Sequence, residues 1–256
     1  MMEFDASRPL SRSLLVQYTD WHRCSYLSGR AARTQFVQDL YNDNKRIYQA
    51  LQERGYRRSG SALYRPDCGP CRDCIPARLP VQRFALRRRH RRLLGVGDEL
   101  FTVRWDRAQF TREYFDLYQR YLNMRHSDGD MANPHEEDFA RFLIGGWSPT
   151  RFLRIEHQQH LVAVAVTDLT EGAVSAIYTF FDPDYQQFSP GGYALLSQIR
   201  EARQMGLGWL YLGFWVPGCR KMSYKASYRP IQLLLGGKWR EFGYADSLPP
   251  LAPETE

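Results

Sequence analysis

The chain has no long apolar run. A bilayer-spanning helix needs roughly 18 consecutive apolar residues, and no such stretch occurs in its 256 residues. Its first residues, MMEFDASRPLSRS, carry no apolar segment of the secretory kind. No membrane partner is expected, and the cytoplasm is the expected compartment. Cysteine is scarce, with five in all, and in a reducing compartment clustered thiols bind metal or react rather than pair. Lysine is also rare, four residues against 31 arginines. That bias favours bidentate phosphate binding.

Hydrophobic residues make up 43% and aromatics 14%, enough for a sizeable core in one large domain or two small ones. The net charge of +7 is unevenly spread. Residues 78–92 read RLPVQRFALRRRHRR, a block suited either to nucleic-acid phosphate or to a solvated basic face. The scarce cysteines are clustered too. The segment YRPDCGPCRDCIPAR places Cys68, Cys71 and Cys74 three residues apart in a stretch too polar for core. A continuous C-x2-C-x2-C run is closer to the start of a ferredoxin-type pattern than to the paired spacing of zinc sites. Cys24, in WHRCSYLSGR, is the natural fourth ligand, with Cys219 as the other candidate. An iron–sulfur cluster is the first expectation and zinc the alternative.

Along the chain, residues 31–54 show helical spacing through Phe36, Leu40, Ile47 and Leu51, and Gly55 ends that pattern. Residues 108–124 predict an amphipathic helix with Phe110, Tyr114, Leu117, Tyr118 and Tyr121 inward, and 135–144 a further helix. Then RFLRIEH, LVAVAVTDL and GAVSAIYTFFD read as three strands joined by short turns, hence antiparallel. FSPGGYALLSQIREARQMG is a glycine turn opening a helix, WLYLGFW a buried strand, and PIQLLLGGKWREF a closing strand or hairpin. The expected organisation is a cysteine-rich basic domain over 1–95 and a mixed α/β domain over 96–256.

That order of elements resembles the acyltransferase fold of the GNAT class. The fold class is α+β, with a mixed, largely antiparallel sheet and helices, preceded by the cysteine-rich region. In GNAT enzymes the turn before the central helix holds a cofactor pyrophosphate on free N–H groups. Here that turn is SPGGYA, with Gly191 and Gly192 present but proline in the pattern, so no coenzyme A is expected.

Several strings together are similar to one family. CSYLSGRAAR, GYRRSGSALYRPDCGPCRDCIPAR, RYLNMRHSDGDM, VAVAVTD, SAIYTFFDPD, YLGFWVPGCRKMSYKASYRP and the closing tryptophan resemble the bacterial arginyl- and leucyl-tRNA–protein transferases, more narrowly the aspartate/glutamate leucyltransferases. The resemblance runs from about Ser13 to Trp239. It implies transfer of an aminoacyl group, leucine before arginine, from charged tRNA to the N-terminal amine of proteins beginning with Asp or Glu, which marks them for N-degron degradation. It also implies an iron–sulfur-linked N-terminal region. A CoA-dependent N-acetyltransferase of the same fold and a metal-stabilised RNA-binding protein remain the alternatives.

In such a reaction an amine attacks an already reactive ester. The amine must lose a proton, the oxyanion needs donors, and the acidic side chain needs a cationic pocket. For the chemistry the candidates are His126, Asp128, Asp168, Tyr178 and Tyr211. For the acidic pocket they are Arg65, Arg78 and Arg125; for tRNA phosphates, Lys221, Lys225 and Arg229, which recur at spacing four as if on one helix face.

Overall fold

The computed structural model of the chain describes residues 15–37, 44–125 and 133–252. Four short strands come first: β1 (Val16–Tyr18), β2 (His22–Arg23), β3 (Ala31–Ala32) and β4 (Thr34–Val37). Helix α1 (Asn44–Glu53) follows, then the hairpin β5 (Arg57–Ser59) and β6 (Ala62–Pro66). The expected helix over 31–54 is therefore correct only for its second half. Residues 34–37, TQFV, alternate between half-buried and buried, the period-two pattern of a strand with β-branched and aromatic side chains. Leu40 lies outside the described residues. Gly55 does stop the helix, at φ +85°, a conformation open to glycine at little cost. A small sheet of order β1-β4-β6-β5 results, with β5 at its edge.

The remaining elements are β7 (Ile75–Pro80), α2 (Arg88–Leu100), β8 (Thr102–Arg107), α3 (Arg112–Arg125), α4 (Glu136–Phe139), β9 (Thr150–His157), β10 (His160–Leu169), β11 (Ala173–Phe181), α5 (Pro190–Gln204), β12 (Trp209–Trp215), β13 (Ile231–Leu235) and β14 (Lys238–Phe242). They form an eight-stranded sheet of order β14-β13-β7-β12-β11-β10-β9-β8. Every neighbouring pair is antiparallel except β11 and β12. Strand β7, from the first 95 residues, lies between β12 and β13 and so is part of this sheet.

β10 reads as a continuous apolar run because both its faces are covered. Val164 and Val166 join Tyr114, Leu117, Tyr118 and Leu122 of α3 in one core cluster. Ala163 and Ala165 join Tyr193 and Ala194 of α5 in another. Phe110, expected inside, is 39% exposed. Helices α2 and α5 meet at Gly97, where a Cβ would fall 2.2 Å from the Tyr193 ring.

The parallel pair β11/β12 is short. Its register runs only through Ala173↔Trp209, Val174↔Leu210 and Ser175↔Tyr211. Beyond Ser175 the two strands part, and the N-terminus of α5 lies at the opening they leave.

Candidate active site

The opening between β11 and β12 widens into a cleft of about 690 Å³. Its β11 wall is Ala176, Ile177, Tyr178, Thr179 and Phe181; Leu212 stands on the β12 side, and Gly191, Gly192 and Leu195 belong to the start of α5. Ile177, Leu195 and Leu212 are buried, so its floor is apolar. Its basic side chains are Arg57, Arg89, Arg125, Lys221 and Lys225. Among the described residues that line it there is no aspartate or glutamate.

Tyr178 is the sequence candidate that the fold places best. Its hydroxyl is buried without a hydrogen-bond partner, while its ring packs against Tyr118, Tyr121 and Phe142. Burial pushes its pKa up, and Tyr121 and Tyr118 add to the effect. It therefore keeps its proton through the ordinary pH range and remains a donor without a partner in the wall of the cleft. The first turn of α5 adds free backbone N–H groups and the positive end of a helix dipole on the same side. Gly192 permits this packing, since a Cβ there would sit 3.0 Å from Leu93 of α2.

Arg125 also reaches the cleft, exposed at the end of α3 and packed over Phe181. Lys221 is exposed at the mouth. From the basic block, Arg89 is exposed and donates to the Ser227 carbonyl at 2.6 Å, and His90 is buried and stacked on Tyr228. Burial first, then Arg89 and Arg87, lowers the His90 pKa.

The other candidates lie elsewhere. Asp168 is fully buried on β10 and accepts hydrogen bonds from Arg58 Nε (2.6 Å) and Nη2 (2.9 Å), Thr150 Oγ1 (2.7 Å) and Tyr48 Oη (2.8 Å). With every lone pair engaged it is an internal tie. Tyr211 donates to Glu53 at 2.8 Å and accepts from Arg78 at 3.0 Å. Arg78 is also held by Glu53 and Gln232 and packed between Trp209 (3.7 Å) and Trp239 (4.2 Å). Arg65 donates to Gln35 at 2.7 Å. None of these four lines the cleft.

Lys221, Lys225 and Arg229 do not share a face. The segment Arg220–Ser227 is a 3-10 helix with three residues per turn, so positions four apart point in different directions. Lys225 turns inward, is 3% exposed, and donates from Nζ to the Phe214 carbonyl. Burial, and then the Arg57 charge, hold its pKa well below a lysine's ordinary value. Arg229 is buried against the carbonyls of Ala226 and Gly243. His126 and Asp128 lie outside the described residues.

The sequence reading missed Arg57. It springs from β5 of the small sheet, and its Nη2 donates to the carbonyls of Ala176 (3.1 Å) and Ile177 on β11. It fills the gap where β12 has left the ladder. The available clue was Gly213, a glycine inside the apolar run WLYLGFW, which in a strand marks the close approach of another group.

The cysteines gather beside this assembly. Cys68 and Cys71 form an isolated β-bridge. The Cys74 thiol is pushed up to about 12 by burial and then by Cys24, Cys68 and Cys71. The Leu27 and Arg33 N–H groups donate to the sulfurs of Cys24 and Cys68, each at 3.4 Å. Among the described residues no three His, Cys, Asp or Glu side chains stand arranged to hold a metal ion. The donor set itself, four thiols in one neighbourhood with N–H groups on the sulfurs, matches the chemistry of an iron–sulfur or zinc site.

Comparison with known proteins identifies the family. Two family models match, "Arginine-tRNA-protein transferase, N terminus" over residues 22–92 and "Arginine-tRNA-protein transferase, C terminus" over 113–235. The chain is 47% identical over 223 residues to the aspartate/glutamate leucyltransferase of Alcanivorax borkumensis, covering 87% of this chain and 92% of that one. It is 45% identical over 228 residues to that of Hahella chejuensis (89% and 97%) and over 221 residues to that of Pseudomonas aeruginosa strain LESB58 (86% and 94%). Among solved structures it is similar to L-PGS from Bacillus licheniformis (TM-score 0.43, 12% identity, 66% of this chain and 50% of that chain). FemX is another (TM-score 0.45, 9% identity, 74% and 65%). With 45–47% identity to these transferases along most of its length, the chain belongs to the aspartate/glutamate leucyltransferases, within the arginyl- and leucyl-tRNA–protein transferase family.

Proposed function

We propose that the cleft between β11 and β12 is where leucine passes from leucyl-tRNA to the N-terminal amine of a protein beginning with Asp or Glu. The protein is an aminoacyltransferase by family. The observation that carries the assignment to this cleft is its lining: an apolar floor, several cations, and no carboxylate among the described residues. A leucyl side chain fits such a floor, whereas an arginyl side chain would lack an anionic partner and meet like charge. The parted parallel strands with a helix between them make the large sheet a GNAT-like acyltransferase sheet.

The reaction joins two bound substrates at an ester that is already activated, so positioning supplies much of the rate. Arg89, Arg125 and Lys221, exposed at the mouth, take phosphates at the 3′ end of the tRNA. The acceptor's α-amine has an ordinary pKa of roughly 7.7–8.0, so a useful fraction is neutral at physiological pH and can attack the leucyl carbonyl. Charge then develops on the carbonyl oxygen. The Tyr178 hydroxyl and the first N–H groups of α5 are the donors that meet it. Collapse breaks the ester bond, and the ribose hydroxyl leaves carrying a proton. The product bears a new N-terminal leucine, which marks it for the N-degron pathway in the cytoplasm.

Cys24, Cys68, Cys71 and Cys74 would hold an iron–sulfur cluster or zinc. Bound there, the group would cross-link the β2–β3 hairpin to the β6–β7 connection and brace the small sheet that delivers Arg57.

The test is a transfer assay with tRNA charged with labelled leucine or, separately, arginine, and peptides starting with Asp, Glu, Arg or Ala. Label on Asp and Glu peptides from leucyl-tRNA alone is expected. Transfer from arginyl-tRNA would keep the family and change the donor; no transfer from either overturns the reading.

A further inference from the structure

Arg57 is anchored in one sheet and acts in another. Its strand, β5, pairs only with β6, yet its guanidinium lies inside the split of the large sheet. Gly213 makes the passage possible. At φ +75° it carries no side chain, and a Cβ there would fall 1.9 Å from Arg57 Nη1 and 2.7 Å from Cζ. One nitrogen, Nη2, is occupied by the carbonyls of Ala176 and Ile177. Nε and Nη1 have no acceptor and the guanidinium has no carboxylate partner among the described residues. Several buried or half-buried arginines are paired with carboxylates, Arg58 with Asp168, Arg154 with Glu113 and Glu156, Arg78 with Glu53; Arg229, like Arg57, meets only carbonyls, but it does not line the cleft.

Lys225 comes to the same stretch of β12. Its Nζ donates to the carbonyl of Phe214, the residue next to Gly213, and is an N–H donor whether or not it is charged. Two nitrogen-bearing groups thus flank one stretch of β12 and both line the cleft. A half-buried cation with free donors and no protein anion is costly unless a ligand supplies the charge. The cations at the mouth are exposed and suit the mobile phosphates of a large polyanion. Arg57 is recessed, forked and fixed, which suits a single planar carboxylate.

We propose that Arg57, with the Lys225 amine beside it, receives the side-chain carboxylate of the acceptor's N-terminal Asp or Glu and is the residue that sets this specificity. The proposal rests on the functional reading above. It makes the small N-terminal sheet a substrate-reading part of the enzyme.

The test uses the full chain with leucyl-tRNA and four peptides, led by Asp, Glu, and their neutral counterparts Asn and Gln. The readouts are the Asp:Asn and Glu:Gln ratios of kcat/KM, the KM for leucyl-tRNA, and equilibrium binding of labelled Asp and Asn peptides without donor. The wild type is expected to bind and use the acidic peptides at least tenfold better, as loss of a charge-assisted hydrogen bond implies. Arg57→Gln is expected to lower both ratios at least tenfold toward one with the KM for leucyl-tRNA within about twofold, since only the carboxylate contact is removed. Arg57→Lys, which keeps the charge and loses the fork, should lower them by less. Lys225→Gln should move them in the same direction.

A proportional loss on all four peptides, with both ratios unchanged, would overturn the proposal and leave Arg57 a brace for β11. A raised KM for leucyl-tRNA with unchanged ratios would also overturn it, by making Arg57 a phosphate contact. If Arg57→Gln does not fold, Arg57→Lys and Lys225→Gln decide on the same ratios. Wild-type protein that transfers nothing yet binds Asp over Asn peptides would sink the transfer reading and spare this one.

Discussion

Replacing Asp168 by Asn tests whether the most buried carboxylate of the large sheet is structural or chemical. Asp168 and Arg58 are both without solvent exposure in their side chains and meet at 2.6 Å. Arg58 donates to both carboxylate oxygens, Thr150 and Tyr48 each donate to one, and Arg58 Nη1 also reaches the Gly60 carbonyl at 3.0 Å. Asparagine keeps the volume and one acceptor. It removes the negative charge and turns an NH2 group toward donors. Breaking one side of a buried ion pair costs about 3–5 kcal/mol, because the surviving charge is left without compensation. In a chain of this size about 1 kcal/mol moves the melting temperature by roughly 2–4 °C, so Asp168→Asn should melt roughly 6–20 °C below the wild type. The transfer rate per folded molecule, measured well below the lower melting point, should stay within about threefold, because Asp168 lies outside the cleft and removes no transition-state contact. Replacing both partners with apolar residues, Arg58→Met with Asp168→Leu, should recover much of the loss. Thermal melts and urea midpoints of the wild type and the two variants supply the numbers. An Asp168→Asn protein as stable as the wild type but inactive would refute the reasoning and return Asp168 to the chemistry.

Gly97→Ala should lower the urea midpoint by the equivalent of about 1–3 kcal/mol, the usual cost of overpacking, since its Cβ would enter the Tyr193 ring; an unchanged midpoint would mean that α2 and α5 slide apart freely. Tyr178→Phe should leave the melting temperature unchanged or slightly higher, because the lost hydroxyl has no partner in the fold, while transfer falls about 100–1000-fold if that hydroxyl meets the oxyanion. Lys225→Met bears on pH. Burial and Arg57 lower the Lys225 pKa in the folded state, with Cys219 and Cys74 opposing the shift, so between the folded pKa and the ordinary lysine value of roughly 10.4 the unfolded chain binds the extra proton. Stability should therefore rise with pH in that window and fall as pH drops through it. The wild-type urea midpoint should climb relative to Lys225→Met from neutral pH toward pH ~10, and a difference that does not change with pH would mean that Lys225 is not desolvated.

The large sheet was legible because its strands and helices carry strong, single-period patterns. β9, β10 and β11 were bounded within a few residues, and the glycine turn correctly announced α5. The small sheet was not, because its strands are three to five residues long and Phe36, Ile47 and Leu51 happen to sit at helical spacing. The site divides the same way. Tyr178 could be found by placing a strand beside an expected split. Arg57 could not, since GYRRSG reads as a polar hairpin and its partners Ala176 and Ile177 are 119 and 120 residues away. Asp168, Tyr211 and Arg78 look chemical in sequence because their partners, Arg58, Glu53 and Gln232, are equally remote. A buried polar residue with distant partners and one awaiting a ligand have the same local sequence. Only the count of donors and acceptors separates them.

That count gives the two neighbouring arginines of β5 opposite roles. Successive residues of a strand point to opposite sides, so Arg57 and Arg58 leave the same backbone in different directions. Arg58 ends fully buried on Asp168 and fixes β5 to β10. Arg57 enters the cleft beside β11 with only its Nη2 engaged. The two are coupled through one strand: sliding β5 along the large sheet would break the Arg58–Asp168 tie and withdraw Arg57 from the carbonyls of Ala176 and Ile177. Asp168 would then influence acceptor recognition without touching substrate. In the Asp168→Asn protein, any residual defect in the folded state should appear as a reduced preference for Asp over Asn peptides, and an equal decline on both would separate β5 from the reading of the acceptor.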